Sequence, residues 1–358
     1  MQPLLRTDIV LILDLNLRVV DLDDFVRRAS RLGESTPNSR MLDRMNESFG
    51  WLFYDDQLAD FELFDISSAL RKSDPNLAGA VLRLNQRLRI GTFLLWRTHS
   101  GNSDPRDLKM RAWEDLPDLE AELSSVLSLS QDAAEYMVER FYPFVGIQID
   151  TSDIDSYSTA NAEEIGRVLT GDLEEERPAA LRQYIETDLS RRSYEKLFIR
   201  WTEALALYSR LETEELYENT LFRAVQLFEH CVLARVALRS LAADMESFVQ
   251  HLTVITPGTW ARSRTLSAAF SNAEDIFVMY PHVQSVEANR LITAAATQFG
   301  LAKVLASAKA KETELRERFE WAKTQTLGLL AFLTYFFDKI IGWDNLRDFV
   351  ARGFQRIF

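Results

Sequence analysis

The chain has 358 residues, a formal net charge of −13, 47% hydrophobic and 27% charged residues, 13 Gly, 9 Pro and a single Cys. One Cys excludes a disulfide framework and any multi-cysteine zinc or iron–sulfur site. The acidic balance argues against a nucleic-acid binder, and the scarcity of Gly and Pro argues against a β-sandwich or a disordered chain.

The first residues, Met1 to Arg6, run into an apolar stretch broken by Asp14 and Asn16. They lack the basic, apolar and small-residue order of a signal peptide, so the expected location is the cytoplasm. Ile9–Leu17 reads as a part-buried strand, and Asp21–Leu32 as a helix with Leu22, Phe25, Val26 and Ala29 on one stripe. Gly50–Tyr54 and Phe61–Ile66 are short strand candidates. Leu88–Thr98 is a stronger one, ending at the turn cluster His99–Pro105. Phe144–Ile149, Lys196–Trp201 and Ala204–Tyr208 complete the strands, with helical patterns near 74–87, 117–140, 158–170 and 178–190. Strands interleaved with helices predict one helix-covered sheet. Between Glu114 and Asp188 there are 19 acidic residues and four basic ones (Arg140, Arg167, Arg177, Arg182), so residues 1–208 form an acidic α/β domain in this reading.

Beyond the boundary at 205–212 the pattern turns helical. Leu227, Cys231, Ala234, Leu238, Leu241, Met245, Phe248 and Leu252 are spaced 4, 3, 4, 3, 4, 3, 4, a heptad seam stopped by Pro257-Gly258. The seam fits either antiparallel packing within the chain or a coiled coil between chains. A second helix is expected from Ser271 to Pro281 and a third over roughly 284–323, ending in the charge run Lys309–Lys323. Residues 209–323 are thus a long-helix or coiled-coil domain. The fold class is α+β and helix-rich: an N-terminal α/β domain with a helix-covered sheet, then a long-helix domain.

Residues 324–358 are an apolar C-terminal helical segment. Thr324–Phe337 is 14 residues without a charge, and Asp338-Lys339 interrupts it. A spanning helix needs about 20 apolar residues. Beyond the pair, Leu346, Phe349, Val350, Phe354 and Ile357 share a helical face, with Arg347, Arg352 and Arg356 elsewhere. Arginine among aromatic residues at an amphipathic end suits a membrane surface. Leu329, Phe332, Phe336, Phe337, Trp343, Phe349 and Phe354 are the candidate membrane or partner contacts. The alternative is a terminal hairpin packed on the helical domain.

No catalytic template is met. A P-loop, Gly-x-Gly-x-x-Gly, His-Glu-x-x-His and Gly-x-Ser-x-Gly are all missing from the sequence. His230 and Cys231 are adjacent and point about 100° apart on a helix, so they cannot act as a pair. Asp150, Asp153 and Asp155 are hard oxygen ligands suited to Mg²⁺ or Ca²⁺ if they converge, and otherwise form a solvated turn that caps the next helix.

The order of parts resembles the CorA-like divalent-cation transporter superfamily: an acidic α/β region closing on Lys196–Trp201 and Ala204–Tyr208, then long helices, a charged stalk, an apolar segment and a short basic tail. In that family the stalk enters the membrane and the first span ends in a Gly-Met-Asn loop. Here the corresponding stretch is Ile340-Ile-Gly-Trp-Asp-Asn345, where Gly342 and Asn345 are reminiscent, the motif is missing and no second span follows. The resemblance implies a non-transporting relative, with no transport residues carried over.

Three functions compete. One is a non-enzymatic, oligomerising protein with a membrane-directed end, such as a CorA-like sensor or a bacterial conflict-system effector, lying peripherally or integrally at the inner membrane. Another is a soluble helical adaptor or scaffold that docks a partner protein. The third is an enzyme assembled from scattered residues such as His99, Asp150 and Asp153. The first is preferred: no enzyme, no resident cofactor beyond a cation at the Asp150 loop, a homo-oligomer or a partner protein, and no nucleic acid.

Overall fold

The computed structural model describes residues 4–17, 20–34, 43, 45, 61–70, 74, 76–101, 103–127, 138–170, 178–183, 185–190, 192–200, 203–210, 213–253, 255–277 and 286–336. Of the described residues 62% are helical and 23% are strand, with one seven-stranded sheet followed by long helices. That is well above the ordinary helical third.

The strands are β1 (Leu4–Asn16), β2 (Glu62–Asp65), β3 (Leu77–Asn85), β4 (Ile90–Ser100), β5 (Val138–Ile149), β6 (Glu195–Arg200) and β7 (Glu203–Tyr208). Their order across the sheet is β2-β3-β4-β1-β5-β7-β6. Neighbours are antiparallel except β5 and β7. The chain between that parallel pair carries α5 (Ile154–Ala160), α6 (Ala162–Thr170) and α7 (Pro178–Gln183) before β6. The earlier helices are α1 (Leu22–Glu34), α2 (Ser67–Leu70), α3 (Pro105–Glu114) and α4 (Leu116–Val126).

β1 sits inside the sheet, and alternation sends its side chains to two faces. Ile9, Leu11, Leu13 and Leu15 join an apolar core with Phe93 and Leu95 of β4, Phe25 of α1, Leu108 of α3 and Leu119 of α4. Asp8, Val10, Ile12 and Asp14 face the other way. There the N-terminal half of α8 (Glu214–His251) lies on the sheet, with Trp96 against Phe222 and Phe144 against Phe228. Gly146 of β5 lets that helix come close, since a Cβ there would stand 2.6 Å from Leu221 Cδ1.

Several boundaries differ from expectation. The helical pattern at 74–87 is strand β3. Its Leu77-Ala-Gly-Ala-Val-Leu-Arg-Leu-Asn85 is buried on both faces, and a two-face strand shows no alternation. The pattern at 117–140 divides into α4 and the start of β5. The helix expected from Ser271 begins at Pro257 as α9 (Pro257–Phe277). Pro257 opens this helix as well as following α8, because Thr256 and Thr259 cap it reciprocally: Thr259 N donates to Thr256 Oγ1 (3.1 Å) and Thr256 N to Thr259 Oγ1 (2.7 Å). The helix expected over 284–323 is two, α10 (Val286–Gln298) and α11 (Leu301–Phe336), parted at Gly300 with φ +66°. The strand expected at Gly50–Tyr54 lies outside the described residues.

The chain divides into two compact units, Met1–Leu238 with Asn272–Val304, and Arg239–Ser271 with Leu305–Phe358. The division falls inside α8, whereas the change from strand to helix pattern falls at 208–214. The seam is buried at all eight positions, Leu227 to Leu252, within the single chain. In the second unit Leu241, Met245, Phe248, Leu266, Phe270, Ala308 and Leu315 are buried, and Ile255 N donates to Thr326 Oγ1 (3.0 Å).

Candidate functional site

The C-terminal part of α11 is the most unusual surface among the described residues. Buried positions recur along it at Ala308, Glu312, Leu315 and Ala322, on one side, and then stop. From Leu327 to Tyr335 every residue is exposed, including Leu327 (59%), Phe332 (61%) and Tyr335 (63%). Leu329, Leu330 and Leu333 are exposed as well, and Phe332 and Phe336 stack with centroids 6.2 Å apart. A soluble helix normally shows water its polar face. Here, at about 100° per residue, Leu327, Leu329, Leu330, Phe332, Leu333 and Tyr335 leave no gap wider than ~80° around the axis.

A shoulder precedes this tip. Trp321 is exposed, and the Arg318 guanidinium lies 4.1 Å from its ring centroid. Lys323 pairs with Glu320 (3.2 Å). No charge follows until Asp338. Trp321 and Arg318 were missed in the sequence because they lie in the charge run, although a Trp one turn before an apolar run is a usable signal. Of the residues singled out there, Leu329, Phe332 and Phe336 lie on this helix, and Phe337, Trp343, Phe349 and Phe354 lie outside the described residues. Among the described residues no helix is long and apolar enough to cross a membrane.

The acidic loop after β5 disperses its carboxylates. Asp150 pairs with Arg210 (3.3 Å) and Asp155 with Lys196. Asp153 caps α5, accepting from Ser156 N (3.0 Å) and Ser156 Oγ (2.6 Å). Those bonds hold its carboxyl below the usual range. No group of three metal-ligating side chains converges among the described residues. His99, at the end of β4, stands apart from them opposite Thr7 of β1, and burial, then Arg97, lowers its pKa.

The first unit instead buries its charge under α8. Asp8, fully buried, accepts from Tyr217 OH (2.6 Å), Thr98 Oγ1 (2.6 Å), Trp96 Nε1 (2.9 Å) and Arg6 Nε (2.9 Å). Further along the sheet, buried Arg83 meets Glu229 of α8 (3.1 Å) and donates to Gln226, while Thr92 donates to Glu229. Burial raises the Glu229 carboxyl against the opposing pull of Arg83, and burial lowers Arg83. Next to them, burial and then Arg83 push His230 down to about 3, so its imidazole is neutral. Burial pushes the Cys231 thiol up to about 12, which makes it a poor nucleophile. On the apolar face Lys109 donates to the carbonyls of Val168 (2.9 Å) and Leu169 (3.2 Å) at the end of α6 and pairs with Glu203.

Asp8, Arg83, Glu229 and Lys109 are thus each held by partners within the fold. A cavity near β6, lined in part by Lys196, Tyr208, Thr220 and Arg223, measures ≈ 30 Å³. Small-molecule sites run to ~300–1,000 Å³. No family model, curated protein or solved structure matches this chain.

Proposed function

We propose that this is a non-enzymatic, membrane-directed protein that engages a lipid surface through the apolar tip of α11. The observation that carries this is the exposed apolar surface on all sides of Leu327–Tyr335. A groove on a partner protein covers one side of a helix, whereas a fluid apolar medium covers every side. The Arg318–Trp321 shoulder suits the headgroup level, where amphipathic rings and basic side chains settle. The burial of the heptad seam supports packing within the chain, so the reading rests on the tip of α11 rather than on the seam. The resemblance in order of parts to CorA-like proteins agrees with a helix aimed at a membrane, without transport.

Flotation with vesicles of phosphatidylcholine and phosphatidylglycerol tests this. The full-length protein should rise with the vesicles, and Leu330→Asp/Phe332→Asp should stay at the bottom with an unchanged circular dichroism spectrum. A wild-type protein that stays at the bottom at low salt overturns the reading in favour of the helical adaptor.

A further inference from the structure

We infer that the first two turns of α9 flank the base of the α11 tip as a second lipid contact, and that Trp260, Arg262 and Arg264 join Arg318 and Trp321 in a collar that takes the phosphates of anionic lipid headgroups. This rests on the membrane reading above and adds to it a lipid class and a second contacting helix.

Three contacts within the second unit set the level. Lys311 of α11 meets Glu246 of α8 (3.5 Å), and Ile255 N, just beyond α8, donates to Thr326 Oγ1 (3.0 Å), so α8 and α11 run in the same direction. The Arg262 guanidinium lies 5.5 Å from the Phe248 ring centroid, so α9 folds back along α8 and runs against α11. Trp260 lies five residues after Ile255, and Trp321 lies five residues before Thr326. At a rise of ~1.5 Å per helical residue, both rings stand at about one level, just behind the exposed apolar run that starts at Leu327.

The two helices repeat one arrangement at that level. Trp260 is exposed with the Arg264 guanidinium 4.8 Å from its ring centroid, as Trp321 is exposed beneath Arg318. An indole is largely apolar with a single N–H donor, which suits a boundary that is apolar on one side and wet on the other. A guanidinium stacked on the ring is held there, and its remaining N–H groups match the oxygens of a phosphate.

Charge picks the lipid. Residues 247–273 contain no Asp or Glu, and their only Lys or Arg are Arg262 and Arg264, both exposed. Over 257–264 and 317–326 four basic residues (Arg262, Arg264, Arg318, Lys323) stand against Glu317 and Glu320, a local balance of +2 in a chain of net −13. Among the described residues the ion pairs of this unit join Lys311 to Glu246 and Glu314, Arg316 to Glu312 and Lys323 to Glu320. Arg262, Arg264 and Arg318 are outside those pairs, so their charge is complementary to an anionic surface.

The test is flotation of the full-length chain at low salt with vesicles of phosphatidylcholine alone and of phosphatidylcholine with phosphatidylglycerol. The wild type should partition more strongly onto the phosphatidylglycerol vesicles. Arg262→Gln/Arg264→Gln should bind them about 25-fold more weakly, at about fivefold per basic residue near an anionic surface, with an unchanged circular dichroism spectrum. Arg239→Gln, which removes an exposed charge roughly 20 Å back along α8, should bind as the wild type does. A nitrobenzoxadiazole dye on Trp260→Cys, selective because Cys231 is buried, should shift to the blue on the same vesicles and be quenched by headgroup spin labels. If the wild type floats equally with both vesicle types, if the double variant floats as well as the wild type, or if the dye at 260 does not respond, the collar is overturned while the membrane reading stands. A lipid-free dimer that the double variant dissociates would make the collar a contact between copies and overturn its lipid assignment. If the wild type does not float at all, both are overturned.

Discussion

The sheet beneath α8 and the tip of α11 handle polarity in opposite ways. Under α8 the chain takes Asp8, Arg83 and Glu229 almost wholly out of water, whereas at the tip it leaves Leu327, Phe332 and Tyr335 in it. Each choice costs free energy, and different partners offset the cost. Asp8 gathers donors from β1, β4 and α8, which compensates its lost hydration. Among the described residues nothing covers the tip, and an exposed apolar surface of this kind favours being covered. Buried charge here is matched by partners within the fold, and the exposed apolar tip is what the membrane proposal rests on.

The largest effect should come from breaking the buried pair. Glu229→Ala leaves Arg83 buried without its carboxylate and should cost about 3–5 kcal/mol in urea unfolding. Arg83→Met/Glu229→Leu should recover most of that loss. A double variant as unstable as the sum of the singles would show that the two charges are not coupled.

Core truncation in the second unit comes next. Phe248→Ala and Leu241→Ala remove buried seam side chains and should cost about 2–5 kcal/mol. Glu246→Ala, whose exposed carboxylate meets Lys311 at 3.5 Å, should stay within about 0.5 kcal/mol. Equal small losses at all three positions would remove the seam from the account.

The pH dependence is smaller and has a definite sign. His230 is held near 3 in the folded protein, below its ordinary value near 6.5. Its contribution to stability is therefore present above pH ~6.5 and is lost as the pH falls toward the folded value. Between pH 6 and 4 the wild type should lose up to ~1.4 kcal/mol per pH unit more than His230→Gln. Glu229 acts in the opposite sense, because its pKa is raised: its contribution is present at acid pH and is lost as the pH rises. Parallel stability curves for wild type and His230→Gln would contradict a neutral buried histidine.

The smallest effect on stability should be at the tip. Leu330→Asp/Phe332→Asp should change the unfolding free energy by no more than about 0.5 kcal/mol per site, while abolishing flotation. A large loss of stability would mean that the tip belongs to a core.

The seven-stranded sheet was readable in outline because most strands are short apolar runs bounded by turns. Lys196–Trp201 and Ala204–Tyr208 come within a residue of β6 and β7. The segment 74–87 was not readable as a strand. Arg83 inside an apolar run looks like the polar side of a helix, and only Glu229 of α8, 146 residues further on, makes it a buried cation. The single helix expected over 284–323 failed for a local reason: Gly300 adopts a left-handed conformation, a choice that spacing does not reveal.

By itself the sequence determined the helix-rich class, the sheet-then-helix order and the uncharged run Thr324–Phe337, since composition and periodicity are local properties. Only the tertiary structure decided that Asp150, Asp153 and Asp155 turn to separate partners, that the heptad seam is buried inside the chain, and that Leu327–Tyr335 in the run are exposed. Those outcomes depend on which distant surfaces meet, and burial is settled by the whole fold rather than by neighbours in sequence.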